Sequence, residues 1–352
     1  MQIGVLTSGG DSPGMNAAVR AVAGTGIGSG HKVFGIRGGY SGLLEGDAFE
    51  LDLAYIAGIS RVGGTLLGST RSAAFPSPEG QDAAKQQIRQ LGLDGLVVVG
   101  GNGSLTGAHL LGHDRPCSIV GLPASIDNDI GHCGSAIGVD TAVNTIVDAC
   151  DRISDTARAH RRAFIVEVMG RDCGFLAMRA GTAAEADVIL YSEMRIEEDE
   201  LYARLESVAE RFFCREWHKK RLLIVKSEGV KIPTSRIVAH VQAFLDERAP
   251  GVEIRETILG HVVRGGRPSA MDRVIAQRLG FAAVKALEAG AHDVMLGWDV
   301  PDGAGQQTAD PFICVVRLEQ VIEETARLLD GTSPLVQQRL ALLSKVEDLL
   351  LL

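Results

Sequence analysis

The sequence predicts an α/β protein built as two doubly wound lobes, each a mainly parallel sheet with helices on both faces. Three observations carry this expectation. Short runs rich in β-branched residues alternate with amphipathic stretches of helical period almost throughout. The strand-like runs are apolar from end to end, as strands buried on both faces of a parallel sheet must be. A chain of 352 residues is also long enough for two separate cores.

In chain order the strand candidates are IGVLTS, KVFGI, GLVVVGG, CSIVGLP, AFIVEVMG, DVILYS, RLLIVKSEG, EIRETILG and DVMLGWD. Between them lie helical patterns such as AVNTIVDACDRISDTARAH, EEDELYARLESVAERFF, SRIVAHVQAFLDER and DRVIAQRLGFAAVKALEAG. The C-terminal LLSKVEDLLLL reads as a docked helix, too short to span a bilayer. There is no repeat at solenoid period and no low-complexity tract.

Composition narrows the functional classes. With a net charge of -9, 45% hydrophobic and 22% charged residues, the chain has an ordinary globular profile. The acidic balance argues against a nucleic-acid partner. No run of about 18 apolar residues suggests a membrane span. The N-terminal MQIGVLTSGG lacks the basic region of a signal peptide. Six scattered cysteines without a CxxC pair read as reduced thiols of a cytoplasmic protein, not as a disulfide framework or zinc site.

In doubly wound folds ligands sit at the carboxyl ends of the strands, so the segments following strands carry the chemistry. SGGDSPGMN (8–16) follows the first strand and opens a helix. Its glycines let the backbone approach a ligand, and a helix N-terminus offers free N–H groups to an anion. GGNGSLTGA (100–108) repeats the arrangement, and neither stretch has the Walker pattern. A tight strand-to-helix turn accounts for either alone; two in one sheet favour phosphate binding. Arg71 in LLGSTRSAAF, Arg171 in VEVMGRDCG, and His261 with Arg264 in GHVVRGGRPSAMDR supply cations at strand-to-loop exits. GLPASIDNDIGH (121–132) leaves a strand with two carboxylates, Asp127 and Asp129, around Asn128. An Asx-type turn explains Asp127 and Asn128 but not Asp129.

The ordered set GGDSPGMN, GGNGSLTG, PASIDNDI, VEVMGRDCG, SEG and GHVVRGGRP closely resembles the phosphofructokinase family, from residue 3 to about 273 by motif. The resemblance implies a two-lobed subunit, usually in a cytoplasmic homotetramer, that phosphorylates fructose 6-phosphate with ATP and Mg2+. It implies a nucleotide-binding lobe of residues 1–138 plus about 263–305, and a sugar-phosphate lobe of 139–262 plus about 306–352. Asp127 matches the general base, with Ser125 where the family has threonine, and Asp129 its neighbour near the metal. Gly10, Arg71, Gly103, Ser104 and Gly107 match the nucleotide site. Arg71 and Arg171 match cations that stabilise the transferring charge. Met169, Gly170, Arg171, Glu228, His261 and Arg264 match residues around the sugar phosphate. Arg162 and Arg255 match arginines that a neighbouring subunit contributes to the 6-phosphate.

Departures from the family pattern bear on the donor and on regulation. Pyrophosphate-using members carry an acid where this chain has Gly103 and a lysine where it has Ala124, so ATP is the expected donor and pyrophosphate the alternative. Asn102 stands where ATP-using relatives have a metal-associated aspartate. That keeps open a catalytically weak, regulatory relative, although Asp127, Asp129 and Arg171 are all retained. A loop of the GGDG type also occurs in NAD kinases, but the SIDND, MGR and GGRP segments disfavour that reading. Sedoheptulose 7-phosphate presents the same terminal hydroxyl as fructose 6-phosphate. Of the arginines that bind effector phosphates in bacterial relatives, Arg20 persists, whereas Gly24 and Ser154 replace others and the region of Leu53 offers none. His218, Lys219, Lys220 and Arg221 are expected to keep some positive charge there.

Overall fold

The computed structural model describes residues 1–70, 72–214 and 221–350. They form two compact units. One comprises Met1–Thr141 with Arg264–Ser333, the other Ala142–Val263 with Pro334–Leu352.

The first unit opens with β1 (Gln2–Ser8), α1 (Met15–Gly28), β2 (Lys32–Ile36), α2 (Tyr40–Glu45), β3 (Ala48–Glu50) and α3 (Pro78–Gln90). It continues through β4 (Gly95–Gly100), α4 (Asn102–Gly112) and β5 (Ser118–Pro123). The chain leaves it along α5 (Val139–His160). The second unit follows with β6 (Ala163–Val168), α6 (Phe175–Ala183), β7 (Val188–Leu190), α7 (Glu198–Ala209), β8 (Leu222–Ser227), α8 (Thr234–Arg248) and β9 (Ile254–Ile258). The return adds α9 (Ala270–Glu288), β10 (Val294–Trp298), β11 (Gln306–Gln307), β12 (Ile313–Arg317) and α10 (Leu318–Asp330) to the first unit, and α11 (Pro334–Leu350) to the second.

The larger sheet has the order β11-β12-β10-β5-β4-β1-β2-β3. Its middle five strands are parallel, β12 and β3 run antiparallel to them, and β11 pairs antiparallel with β12. β4 is buried at every position, as the run GLVVVG requires of a strand with helices on both faces. The smaller sheet, β7-β8-β6-β9, is wholly parallel. Its core joins Ile165, Ile224, Val188 and Ile254 to Leu201, Leu205, Phe212 and Val241. Both sheets match the predicted doubly wound class. The boundary after about residue 305 differs from the sequence reading. β12 pairs with β10 over five residues, so the segment to Ser333 packs with the first unit.

The sequence reading passes over ICVVR, which is β12, because a run of four apolar residues closed by Arg317 has no visible partner. It also misses one buried carboxylate that ties α9 to the start of α5. Asp272 is fully buried and accepts hydrogen bonds from Gly138 N at 2.8 Å, Thr141 N at 2.7 Å and Thr141 Oγ1 at 2.5 Å. Ser269 caps α9 by accepting from Asp272 N, and Ser269 N donates to Thr141 Oγ1. Burial raises the pKa of the Asp272 carboxyl against the pull of these bonds. Replacing Asp272 with alanine leaves two buried N–H groups without an acceptor, so stability should fall by about 1–3 kcal/mol. A urea midpoint unchanged by the substitution would contradict this role.

Candidate functional site

The order of the larger sheet fixes where a ligand can sit. From β1 the chain moves outward to β2 on one side, whereas β4 leads to β5 on the other. The two crossovers diverge between β1 and β4, the switch point at which doubly wound sheets bind ligands. Ser8 and Gly100 are register partners at the carboxyl ends of these strands. Both predicted glycine turns therefore open from one place.

Contacts at that place are tight. A Cβ on Gly100 would lie 2.5 Å from Ser8 O and 2.6 Å from Ser104 Cβ. A Cβ on Gly10 would meet Arg264 Nη1 at 2.8 Å. Ser104, 4% exposed, sits in the first turn of α4. Gly103, one residue earlier, is exposed, and a Cβ there would meet nothing within 4 Å. The first turn of α4 thus has an open, side-chain-free flank next to its unsatisfied N–H groups. Gly107 is different. Its face is covered by Tyr40 and Phe75, whose rings stack 4.0 Å apart and approach a would-be Cβ at 2.9 Å. The Tyr40 hydroxyl donates to Ser104 O at 2.6 Å, and burial pushes its pKa far up. Tyr40 and Phe75 fix the angle of α4, and sequence reasoning misses both. The signal available was GGYSG directly after the second strand.

The segment after β5 divides its labour between amide and acids. Asn128, fully buried with φ 51°, donates from Nδ2 to Gly134 O at 3.0 Å and accepts from Ala136 N at 3.0 Å. It is the amide that makes the turn. The carboxylates are left for other partners. Asp129 accepts from Ser125 Oγ at 2.9 Å, and Ser125 Oγ accepts from Asp127 N at 3.3 Å. Asp127, 2% exposed, has Oδ2 3.8 Å from Arg264 Nη2. Arg264 also donates to Asp11 O, at 3.4 Å. The structure thus groups Arg264 with Gly10, Asp11 and Asp127. Arg71 lies outside the described residues.

Among the described residues no group of three or more His, Cys, Asp or Glu is placed to hold a metal alone. Gly101 stands against Ala124 and Ser125, which brings the start of α4 beside the aspartate segment. Asn102, the first residue of α4, has no side-chain hydrogen bond among the described residues. Asp129 and Asn102 would supply one carboxylate and one carbonyl. That donor set fits magnesium, which takes one or two carboxylates and completes its shell with substrate phosphates and water.

In the second unit, residues 169–171, Glu228 and His261 all follow the carboxyl ends of parallel strands. Gly170 adopts φ 144° and Arg171 φ 50°, so the chain reverses sharply after β6. One oxygen of Glu228 accepts from Gly170 N at 3.2 Å and Arg171 N at 2.9 Å. Glu228 therefore braces the turn that presents Arg171, while Met169 is buried behind it. His261 is exposed in the short turn Gly260–Arg264.

Arg162 and Arg255 lie at the other, amino-terminal end of these strands. Arg162 immediately precedes β6, and Arg255 faces Phe164 near the start of β9. Each has Nη2 2.8 Å from the same Glu253 oxygen, and Arg255, then Arg162, hold that carboxyl below its usual range. Six-residue β6 spans roughly 20 Å, so these arginines are a strand's length from Gly170 and Arg171.

The expected effector region is only partly legible. Arg20, Gly24 and Leu53 do line one cavity of about 750 Å³, together with Lys285, which pairs with Glu288. Arg221 is buried, 3.9 Å from Asp187, and donates to Glu185 O, so it is a structural cation. His218, Lys219 and Lys220 lie outside the described residues. Five of the six cysteines are buried, and burial raises Cys117 and Cys150 to about 12. Among the described residues no helix is long and apolar enough to cross a membrane.

Comparison with known proteins places these features in context. The family model described as phosphofructokinase matches residues 2–287. The ATP-dependent 6-phosphofructokinase of Thermotoga neapolitana is 46% identical over 295 residues, which cover 84% of this chain and 89% of that protein. The enzyme of the same name from Halothermothrix orenii is 43% identical over 303 residues, covering 84% and 90%. Among solved structures, phosphofructokinase from Saccharomyces cerevisiae superposes with a TM-score of 0.84 at 34% identity over 97% of this chain, which spans 50% of that chain's length. A pyrophosphate-dependent phosphofructokinase from Marinobacter aquaeolei, 20% identical with a TM-score of 0.76, shares the fold.

Proposed function

The chain belongs to the phosphofructokinase family, and from that premise we propose that it transfers the γ-phosphoryl group of ATP to the 1-hydroxyl of fructose 6-phosphate, the glycolytic step that yields fructose 1,6-bisphosphate and ADP. The observation that carries the catalytic assignment is the division within PASIDND. Asn128 alone secures the turn, so Asp127 is held rigidly at a strand end beside the glycine turns without being needed to make it.

In this reading Asp127 accepts the proton of the sugar 1-hydroxyl as its oxygen attacks the γ-phosphorus and the bond to the ADP oxygen breaks. Phosphoryl transfer asks the protein mainly for positioning and charge neutralisation. The α4 N-terminus with Gly10, Gly103 and Ser104 binds the phosphates, Gly107 sets the helix against Tyr40 and Phe75, and the role given to Arg71 and Arg171 is to stabilise the transferring charge. Asn102 and Asp129 would hold Mg2+, which neutralises the phosphate oxygens when bound. Ser125 orients Asp129 through its hydroxyl. Met169, Gly170, Glu228, His261 and Arg264 bind the sugar phosphate, Glu228 by presenting the Gly170–Arg171 turn. Arg162 and Arg255, at the amino-terminal ends of β6 and β9, reach the 6-phosphate of a neighbouring subunit in a homotetramer. In this reading the activity belongs to the cytoplasm.

Gly103 bears on the donor, because the open space at its Cα is where a nucleotide's α-phosphate and ribose would pass, and a carboxylate there would repel them. A coupled assay should show turnover with ATP and little with pyrophosphate; the opposite preference would overturn the donor assignment. Asp127→Ser should lower kcat by at least roughly 10²-fold while sugar affinity changes much less, as for loss of a general base. Near-normal turnover would remove Asp127 from that role.

Gly103→Asp should fold normally, since its side chain enters open space, but raise the KM for ATP; an unchanged KM would count against the loop's placement. With only a neutral carbonyl at Asn102, the enzyme should need more free magnesium than the Asn102→Asp variant. Magnesium titration at saturating ATP and sugar checks this. Identical titrations would mean that position 102 does not meet the metal, and no turnover of the native chain at any magnesium level would mark a disabled site.

A further inference from the structure

The end of α4 remote from the phosphate-binding turn carries a histidine cluster that the reaction does not use. His109 and His113 stand four residues apart, which puts them on one face of the helix. Their rings meet edge to face, with centroids 4.7 Å apart and planes at 89°. Asp293, just before β10, places its two oxygens 2.9 and 3.0 Å from His109 Nδ1. A carboxylate can only accept there, so this contact puts a proton on Nδ1, and in the neutral imidazole the Nε2 lone pair is then free for a further partner. That Nε2 lies 3.3 Å from His113 Nε2.

The spacing is informative. It is at the long end of the hydrogen-bonding range. Two imidazole nitrogens, each roughly 2.0–2.1 Å from one tetrahedral ion, stand about 3.3 Å apart. The surroundings suit a cation: Asp293 is behind His109, Asp114 is close to His113, and the C-terminal carbonyls of α4 carry the negative end of its dipole. Lys85 and Arg89 offset Asp114 in part, and His292 donates to Gly112 O at 3.0 Å rather than joining the pair.

We propose that His109 and His113 form a binding site for a divalent transition ion of the zinc or nickel class, coordinated through their two Nε2 atoms, with Asp293 as the positioning residue that holds His109 in the ligating tautomer. Each ring coordinates as the neutral imidazole with its proton on Nδ1, so a protonated ring gives up its Nε2 proton to solvent on binding and affinity falls at low pH. Imidazole selects zinc, nickel and copper over magnesium, which separates this site chemically from the phosphate end of the helix. With two protein donors the remaining positions go to water, so the ion exchanges with solvent. A carboxylate behind a ligating histidine is the arrangement that raises ligand basicity and fixes ring orientation.

Calorimetric titration of the untagged, full-length protein with NiCl2 or ZnCl2, in buffer free of phosphate and nucleotide, tests this. The native chain should bind one more ion than either His109→Gln or His113→Gln. Asp293→Asn should keep that ion but bind it about 10–100-fold more weakly, and equimolar MgCl2 should not compete. His113 is exposed, so its substitution leaves the fold intact and the comparison readable. Titrations of both histidine variants that match the native protein, or displacement of the ion by equimolar magnesium, would overturn the proposal.

Discussion

The backbones of β1 and β4 approach so closely at their carboxyl ends that position 100 tolerates no side chain. Any Cβ there would stand 2.5 Å from the Ser8 carbonyl and 2.6 Å from Ser104. Because the two strands are register partners at this point, and because the sheet's crossovers diverge from it, both glycine turns and the aspartate segment after β5 emerge side by side. The first turn of α4 lies against that position, and Arg264 over Gly10 and the segment carrying Asp127 stand beside it. Substitution elsewhere in β4 would cost packing; substitution here would move the chemistry.

Within each unit the chain separates structural work from chemical work. Asn128 and Asp272 hold backbone in place, each accepting from main-chain N–H groups while deeply buried. Glu228 does the same for the turn after β6. Asp127, Asp129 and Arg171 are then presented by segments already fixed by others. A carboxylate that also had to make its own turn would change geometry with its charge state, whereas the general base proposed at Asp127 has to hold its position as it gains a proton.

Much of this was legible in the sequence because doubly wound sheets are written in apolar runs followed by glycine-rich turns. The nine strand candidates all correspond to strands, and the residues following them are the ones gathered at strand ends. What escaped was what pattern cannot encode. β12 is too short and too plain to announce its antiparallel partner β10, so the lobe boundary near residue 305 shifted to Ser333. Tyr40 and Phe75 come from separate segments and meet only over Gly107. Asp272 looks like an ordinary first-turn acid of α9, and its bonds to Gly138 and Thr141 span more than a hundred residues of sequence. The Glu253 carboxylate shared by Arg162 and Arg255 was likewise invisible, because the two arginines become neighbours only through the β6–β9 pairing.

The central claim is that the glycine turn of α4 and Asp127 serve one phosphoryl transfer to a sugar hydroxyl. A crystal structure with a non-hydrolysable ATP analogue, magnesium and fructose 6-phosphate tests it most directly. The account predicts the phosphate chain against Gly10, Gly103 and Ser104, and the sugar 1-hydroxyl within hydrogen-bonding distance of an Asp127 oxygen, about 2.6–3.2 Å. A sugar whose 1-hydroxyl points away from Asp127 while both ligands are fully bound would contradict it.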